Sequence, residues 1–361
     1  MIGGKGGFMG FLEWLRGMTS PEPEESNTPW QPIQEHVKPV VSEMNLANLD
    51  LQQLYQTIQD KQNLAEATNL RQREAKVEIP TELPVTVFMV SDIHHGSVFT
   101  NENMWRSHKE QIEETPGAYI ALLHNLIDNA QPTVFPNNML SNTISPELQF
   151  ESMRQQIQEL NDKDKLVVAI SGKCHEGWLY RSSGVEADKL LYDVVQRNFP
   201  VLQNGGILHL QVGNETYDIG LYHEQGPFNS NFNPEHSLRQ NRRLSDRRTD
   251  AEVGAHHHVS SVTMDWEGRP DTGQPVAFIR TGTYKGVWPE GGGLDDSFVV
   301  DRRGKTSEPP GNSITLYPQE HRMIANMGFE NGIEQTNLSR LGEQMKQEGF
   351  WGQVMKLVND E

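Results

Sequence analysis

Short apolar runs recur along the middle of the chain, and each has the length and composition of a β-strand. Two intervening segments, 101–114 and 147–161, have helical composition and spacing. Strand and helix therefore alternate in this part of the chain, which is typical of βαβ units in a parallel sheet. The predicted strands are 85–90, 119–123, 166–170, 207–212 and 217–222.

After residue 250 the helical spacing disappears and strands follow one another closely, which predicts an antiparallel second half. The predicted fold class is α/β with an α+β-like second half. Beyond Glu330, the residues Leu338, Leu341 and Met345 stand at helical spacing and predict a terminal helix that is broken near Gly349. The strands predicted in the second half are 259–266, 276–281 and 313–317.

The first 80 residues differ in composition from the rest. Residues 8–18 are apolar with two charges and predict a short amphipathic helix that docks on a partner or on the protein itself. Residues 19–45 contain five prolines among acidic and polar residues and predict a linker. A helix capped by Asp50 is predicted over about 51–75, either a solvated helix leaning on the core or an oligomerisation arm. The expected division is an N-terminal extension, 1–80, a main domain, 81–325, and a helical tail, 326–361.

Charge and composition narrow the class of protein. The 361 residues include 49 Asp and Glu against 31 Lys and Arg, a formal net charge of −18. Such a field repels polyanions unless positive charge is concentrated locally, which excludes a generic DNA-coating protein. No apolar run reaches the roughly 20 residues that a membrane-spanning helix needs. The single cysteine, Cys174, cannot form an intramolecular disulfide, which fits a reducing compartment.

Metal-capable side chains follow the predicted strands at the points where these end. Asp92 and His94 stand two residues apart after the first run, and a carboxylate and an imidazole there suit a divalent cation. Because strand ends in a doubly wound sheet face one crevice, the whole set is expected to converge on one metal centre. Imidazole and carboxylate ligands favour Mn, Fe, Zn or Ni over Ca. Later strand ends supply Asn125 and Asp128, then His175, then His223, and finally His256 and His258.

In their order and approximate spacing these motifs resemble those of the calcineurin-like metallophosphoesterases. The family pattern is Asp-x-His, Gly-Asp-x-x-Asp/Asn, Gly-Asn-His-Asp/Glu, a lone His and Gly-His-x-His, and it matches residues of about 85–320. The resemblance implies a four-layer αββα sandwich over the main domain, with two divalent cations that activate water to hydrolyse a phosphoester. A narrower likeness to phosphoesterases of bacteria and bacteriophages, akin to the exonuclease branch, implies the cytoplasm of a bacterial or phage-infected cell.

The resemblance also implies a role for each motif residue. Manganese is the expected cation, with zinc, iron or nickel as alternatives, and the second cation is expected to bind weakly or not at all. His175 and Asp128 are the candidate catalytic residues: His175 would be the acid for the leaving group, while Asp128, like Glu176, would orient a histidine or the loop. One cation would be held by Asp92, His94 and His258, and the other by His223 and His256, with Asn125 and Cys174 as further candidate ligands.

Two departures from the family pattern lie at the cations. His124 and Asn125 replace Gly-Asp, so a neutral amide stands where the family has the bridging carboxylate. The segment 172–175, Gly-Lys-Cys-His, replaces Gly-Asn-His and is one residue longer. A Cys174 thiolate would restore the lost negative charge and favour zinc or iron. The alternatives are a plain buried cysteine, or a Lys173 ammonium that takes the place of the second cation.

Five arginines stand within ten residues between His223 and His256. Guanidinium groups bind phosphate oxygens bidentately, so this stretch is a candidate substrate-binding segment. The alternative is a solvated helix whose arginines pair with surface carboxylates. The five are Arg239, Arg242, Arg243, Arg247 and Arg248.

Together these features predict a metal-dependent phosphoesterase, namely a phosphodiesterase or nuclease that acts on DNA or a nucleotide. The alternative from another class is a catalytically degenerate relative that serves as a binding or structural component of a phage, with a protein partner for its N-terminal arm. Asn125 and Lys173 favour this alternative. A protein phosphatase is the third hypothesis, since one fold hosts several chemistries.

Overall fold

The computed structural model describes residues 73–129, 142–172, 191–192, 198–223, 233–244, 248–267, 273–286 and 309–348, together with 55–56 and 59–60. The chain divides into two compact units, Met1–Arg71 and Gln72–Glu361. In the first unit the described residues are helical, and Gln56 Nε2 donates to Asp60 Oδ1 at 2.9 Å, an i,i+4 contact. The predicted amphipathic segment 8–18 and linker 19–45 lie outside the described residues.

The second unit contains twelve strands and four helices among its described residues. The helices are α1 (Glu102–Glu114), α2 (Pro146–Asp162), α3 (His236–Leu244) and α4 (Phe329–Glu348). The strands are β1 (Glu74–Ile79), β2 (Val85–Val90), β3 (Ala118–Leu122), β4 (Leu166–Ser171), β5 (Val201–Gln203), β6 (Gly206–Val212), β7 (Glu215–Tyr222), β8 (Ala251–Gly254), β9 (Ser260–Glu267), β10 (Gln274–Thr281), β11 (Ser313–Leu316) and β12 (Met323–Asn326). None of the described helices is long and apolar enough to cross a membrane.

Sheet I is built around the predicted βαβ units, in the strand order β12-β11-β2-β3-β4-β5. Its strands β2 to β5 run parallel, and β11 pairs antiparallel with β2. The helices α1 and α2 connect β2 to β3 and β3 to β4, because a parallel pair needs a crossover connection. The carboxyl ends of these strands therefore lie at one edge of the sheet.

Sheet II has the strand order β1-β6-β7-β8-β10-β9. Its strands β9 and β10 form the antiparallel pair that their close spacing predicts. The prediction of an antiparallel second half is nevertheless wrong for β8, which pairs in parallel with both β7 and β10. The chain returns through α3 between β7 and β8, and through β9 between β8 and β10, so β8 runs in the same direction as both neighbours.

Three apolar clusters lie between the layers. Alternate residues of β2 point to opposite sides: Val87 and Met89 pack between the two sheets, whereas Phe88 and Val90 pack with apolar residues of α1, α2 and α4. The helix α3 covers the outer face of sheet II, where Leu238 packs on β10. The predicted four-layer αββα sandwich is confirmed.

The amino-terminal edge of sheet II differs from its prediction. Glu74 and Ala75, the end of the helix predicted over about 51–75, lie in β1, which pairs in parallel with β6. Charged and apolar residues alternate along β1 with the period of a strand, so the preceding polar residues led to the wrong assignment here. The strands β5, β8 and β12, of three or four residues each, lie outside the predicted strands.

The helix α4 is the predicted terminal helix, but it packs through a different face from the one its apolar residues suggest. Leu338 and Leu341 are 56% and 50% exposed. The packed face includes Gly332, where an added Cβ would lie 2.7 Å from the ring of Phe88. Close approach of the helix backbone to sheet I, and not a leucine stripe, therefore fixes α4.

Candidate metal centre

The motif side chains lie in loops that leave the carboxyl ends of strands in both sheets. The loop after β2 supplies two of them and the loop after β3 one; the end of β7 supplies one and the loop after β8 two. Five of the six are buried, and the sixth is partly buried. In chain order they are Asp92, His94, Asn125, His223, His256 and His258.

The backbone of these loops is strained. Nine of the described non-glycine residues have positive φ, and six of these lie in the motif segments. Left-handed backbone at a residue other than glycine costs about 1–3 kcal/mol and persists where the surrounding structure enforces it. Here hydrogen bonds between loops do so, since Asp92 N donates to His124 O at 3.2 Å and His94 N donates to Asn125 O at 3.1 Å. The six are Asp92 (50°), His94 (52°), His124 (70°), Asn125 (52°), His256 (70°) and His258 (55°).

One group of donor atoms has the dimensions of a cation site. His94 Nε2 lies 3.2 Å from His258 Nε2 and 3.8 Å from Asp92 Oδ1, and His258 Nε2 lies 3.5 Å from Asp92 Oδ1. A tetrahedral site with ligand bonds of about 2.1 Å has ligand-to-ligand distances of about 3.4 Å. The triangle therefore fits a divalent cation without rearrangement.

A second group shares Asp92 with the first. Donor atoms of Asp92, His223 and His256 all lie within 4.8 Å of one another. This group is more open, because Asp92 Oδ1 is 4.0 Å from His223 Nε2. The two groups match the two ligand sets that the resemblance implies, and their role as ligands stays a prediction.

Hydrogen bonds orient two of the imidazoles. His223 Nδ1 lies 2.8 Å from the carbonyl oxygen of Leu123, which can only accept, so Nδ1 donates and Nε2 keeps its lone pair. His94 Nδ1 lies 3.1 Å from Asp128 Oδ1, which directs its Nε2 towards Asp92 in the same way. The same oxygen of Asp128 accepts from Lys285 Nζ at 2.9 Å. The sequence motifs gave no sign of Lys285, which stands 157 positions from Asp128.

The electrostatics favour a charged Asp92. Burial raises the pKa of its carboxyl, but His223, His258 and His94 outweigh burial and hold the pKa well below its ordinary value. Burial lowers the pKa of His258 although Asp92 opposes this. For His94, burial and Lys285 lower the pKa, whereas the hydrogen bonds to the two carboxylates raise it above its ordinary value.

One buried polar atom supports the fit of a cation. Asn125 Oδ1 has no hydrogen-bond partner in the described part of the chain. Asn125 Nδ2 donates to Asp92 Oδ1 at 3.0 Å, so the amide is held against the carboxylate that both groups share. A buried acceptor without a partner costs about 1–3 kcal/mol, and coordination by the amide oxygen would offset this cost.

The other predicted site residues either lie away from the two donor groups or fall outside the described residues. Cys174, His175 and Arg247 lie outside the described residues, as do Lys173 and Glu176. The four remaining arginines belong to α3 or follow it. Arg239 pairs with Asp265 and Arg242 with Glu267, both on β9, which matches the alternative interpretation of this stretch. Arg243 and Arg248 are exposed.

A mixed two-sheet αββα sandwich with Asp-x-His and His-x-His loops at one edge is the fold implied by the resemblance to the calcineurin-like metallophosphoesterases. The chain is similar to the solved structure of vacuolar protein sorting 29 from Cryptosporidium parvum, with 14% identity and a TM-score of 0.35 over 68% of this chain and 97% of that chain. It is similar to wild-type Vps29 complexed with zinc from Entamoeba histolytica, with 11% identity and a TM-score of 0.31 over 68% and 98%.

A conserved predicted phosphoesterase from Streptococcus pneumoniae is also similar, with 13% identity and a TM-score of 0.29 over 68% of this chain and 100% of that chain. No protein-family model matches the chain. No curated protein matches it either. Function therefore has to be argued from the side chains of the centre.

Proposed function

We propose that this protein is a metal-dependent phosphoester hydrolase that cleaves phosphodiesters with an activated water. The observation that carries the proposal is the arrangement of Asp92 between two groups of imidazoles at the edge where strands of both sheets end. Such a donor set suits Mn, Fe, Zn or Ni, of which we propose manganese. A bound divalent pair would polarise the phosphoryl group and acidify a water molecule, which requires no covalent intermediate with the protein.

The residues around the donors support this chemistry. Asp128 and the carbonyl of Leu123 hold His94 and His223 with Nε2 towards the centre. Lys285 offsets the charge of Asp128, so the centre has few negative charges, and its loaded form would attract phosphate anions. Because Asn125 supplies an amide and not a carboxylate, we propose that the second cation binds more weakly than the first.

Several finer features belong to the same proposal. His175 would protonate the leaving group, and Cys174 would be a further ligand. The exposed Arg243 and Arg248 would attract the backbone of DNA or the phosphate of a nucleotide. We place the protein in the cytoplasm of a bacterial or phage-infected cell, with the part of the extension that precedes β1 as the segment that binds a protein partner.

The test is hydrolysis of bis-p-nitrophenyl phosphate, p-nitrophenyl phosphate and single- and double-stranded DNA with added Mn. We expect the diester to be cleaved in preference to the monoester, loss of activity with a chelator, and a loss of at least 100-fold in His258→Ala. The matched control is His209→Ala, because His209 is a half-buried histidine that pairs with Asp218 on sheet II. Preference for the monoester would indicate a phosphatase.

A second variant separates catalysis from cation binding. His175→Ala should lose hydrolysis and keep its bound metal, since an acid for the leaving group is not a ligand. Equal loss of metal and activity would assign His175 to the ligands. Wild-type protein that binds a cation and cleaves none of the substrates would support the catalytically degenerate alternative.

A further inference from the structure

Three side chains next to the metal centre form a chain of hydrogen bonds that none of the proposed steps uses. His95 follows the ligand loop after β2, Glu102 begins α1, and Ser152 lies in the middle of α2. Glu102 Oε2 lies 2.8 Å from His95 Nδ1, and His95 Nε2 lies 3.1 Å from Ser152 Oγ. A nucleophile within 2.6–3.2 Å of a base that is oriented by a third group is the signature of an activated serine.

The carboxylate determines which nitrogen of His95 carries the proton. An ionised carboxylate can only accept, so Nδ1 of His95 donates to Glu102, and the lone pair of Nε2 faces the hydroxyl of Ser152. Glu102 is fixed in this position because its other oxygen accepts from Gly96 N at 2.9 Å. Gly96 has φ of +88°, and an added Cβ would lie 2.5 Å from Gln149, so this turn requires glycine.

A further donor points at the serine oxygen. Gln156, one helical turn after Ser152, directs Nε2 to Ser152 Oγ at 3.4 Å. Its amide is oriented by Trp105, whose Nε1 donates to Gln156 Oε1 at 2.6 Å. A donor at this oxygen would stabilise the negative charge that develops on Ser152 Oγ as its proton passes to His95.

None of the three side chains is fully buried. Ser152 is partly buried, the side chain of His95 is 12% exposed and that of Glu102 is 41% exposed. None of the three belongs to either group of candidate cation ligands. A reaction at Ser152 would therefore not require a bound metal.

We propose that Ser152, with His95 as its base and Glu102 as the orienting group, is a second reactive centre that takes small carboxylic esters. Ser152 Oγ forms a bond to the acyl carbon as its proton passes to His95 Nε2. The bond from that carbon to the alcohol oxygen breaks, and the proton leaves on the alcohol. Water then releases the acid by the same two steps, so the serine is regenerated without a redox partner.

The chain contains a matched control for this geometry. Ser107 on α1 is exposed and accepts from Gln111 Nε2 at 3.2 Å, the same i,i+4 pairing as Ser152 and Gln156. Among the described residues it has no histidine partner. A glutamine donor is thus common to both serines, and Ser107 is the more exposed of the two, whereas the histidine and the carboxylate are found only at Ser152.

The experiment treats the full chain with a fluorophosphonate probe in the presence of a chelator and identifies the labelled residue by mass spectrometry. Attack by Ser152 forms its bond to phosphorus and releases fluoride together with the proton. We expect one label per chain at Ser152, none at Ser107, and no label in Ser152→Ala. Labelling of Glu102→Gln should be about 10²–10⁴-fold slower, since the base loses its orienting group.

Absence of a label on Ser152 in the wild-type chain overturns the proposal, and so does equal labelling of Ser107. Labelling of Glu102→Gln at the wild-type rate would show that the hydrogen-bond chain is only structural. If Glu102→Gln does not fold, the wild-type result together with Ser107→Ala still decides. Because the chelator removes divalent cations, failure of the phosphoesterase proposal would leave these outcomes unchanged.

Discussion

Replacing Asn125 by aspartate restores the carboxylate that the calcineurin-like pattern has at this position. In the native chain Asn125 Nδ2 donates to Asp92 Oδ1 at 3.0 Å, and both side chains are buried. Asn125→Asp would turn this attraction into a repulsion between two carboxylates. Without metal the variant should therefore be less stable than the wild type. Addition of metal should stabilise the variant by more than it stabilises the wild type.

The size of the effect follows from the distance. At 3.0 Å and an effective dielectric constant of about 20, two unit charges repel by about 5 kcal/mol. The penalty is limited to about 4 kcal/mol at pH 7, because protonation of one carboxylate from an ordinary pKa of about 3.9 would relieve it at that cost. A loss of about 2–4 kcal/mol corresponds to a fall in Tm of roughly 5–15 °C for a unit of this size.

The assay is thermal unfolding of both proteins in chelator and in added Mn, with metal content measured by elemental analysis. A free Mn concentration of a hundred times Kd stabilises the folded protein by about 2.7 kcal/mol for each site. Because the variant should bind close to two ions per chain, its Mn-induced rise in Tm should be larger than that of the wild type. The control is Asn161→Asp, since buried Asn161 Oδ1 accepts from Asn198 N and lies outside both donor groups. Equal stability of Asn125→Asp and wild type in chelator, with no added metal, would refute the reasoning.

Three further changes test neighbouring parts of the account. Lys285→Met should bind Mn about tenfold more tightly in calorimetry, because without the ammonium group the negative charge of Asp128 beside the ligand His94 is no longer neutralised. Weaker binding would contradict this. Burial lowers the pKa of His108 to about 4, so the unfolded chain takes up a proton first as pH falls. Urea titrations measure the free energy of unfolding of the wild type and of His108→Phe at each pH. Between pH 6.5 and pH 4 the wild type should lose up to about 3 kcal/mol more than the variant. A difference between the two free energies that does not change with pH would be inconsistent with a buried neutral imidazole. Gly172→Ala places a Cβ 2.5 Å from the ring of His124 and should cost about 1–3 kcal/mol; unchanged stability would mean that the ring moves freely.

The parts of the fold that can be predicted from the sequence are those whose apolar residues form a clear local pattern. All six residues of β2 are buried, and five of them are apolar, so this run predicts a central parallel strand. The parallel pairing of β8 could not be predicted, because it depends on how the chain returns through α3. Likewise, α4 was recognised from Leu338 and Leu341, although close packing at Gly332 holds it in place.

The candidate centre was predictable where a motif lies within a few residues of a strand end. Asp92 and His94 are of this kind, since their strand precedes them directly. Contacts between distant residues were not predictable: Lys285 reaches Asp128 across 157 positions, and His95 reaches Ser152 across 57. Nothing in either local sequence indicates the partner, because folding of the two sheets and α2 brings these groups together.

The central claim is that Asp92 and the surrounding imidazoles hold a divalent cation. Elemental analysis of the wild-type chain and of Asp92→Asn, each dialysed against Mn and then against buffer, tests it most directly. The account predicts at least one ion per wild-type chain and a loss of at least tenfold in Asp92→Asn, with the fold verified by circular dichroism. Wild-type protein without bound ion, or equal metal in the two proteins, would contradict it.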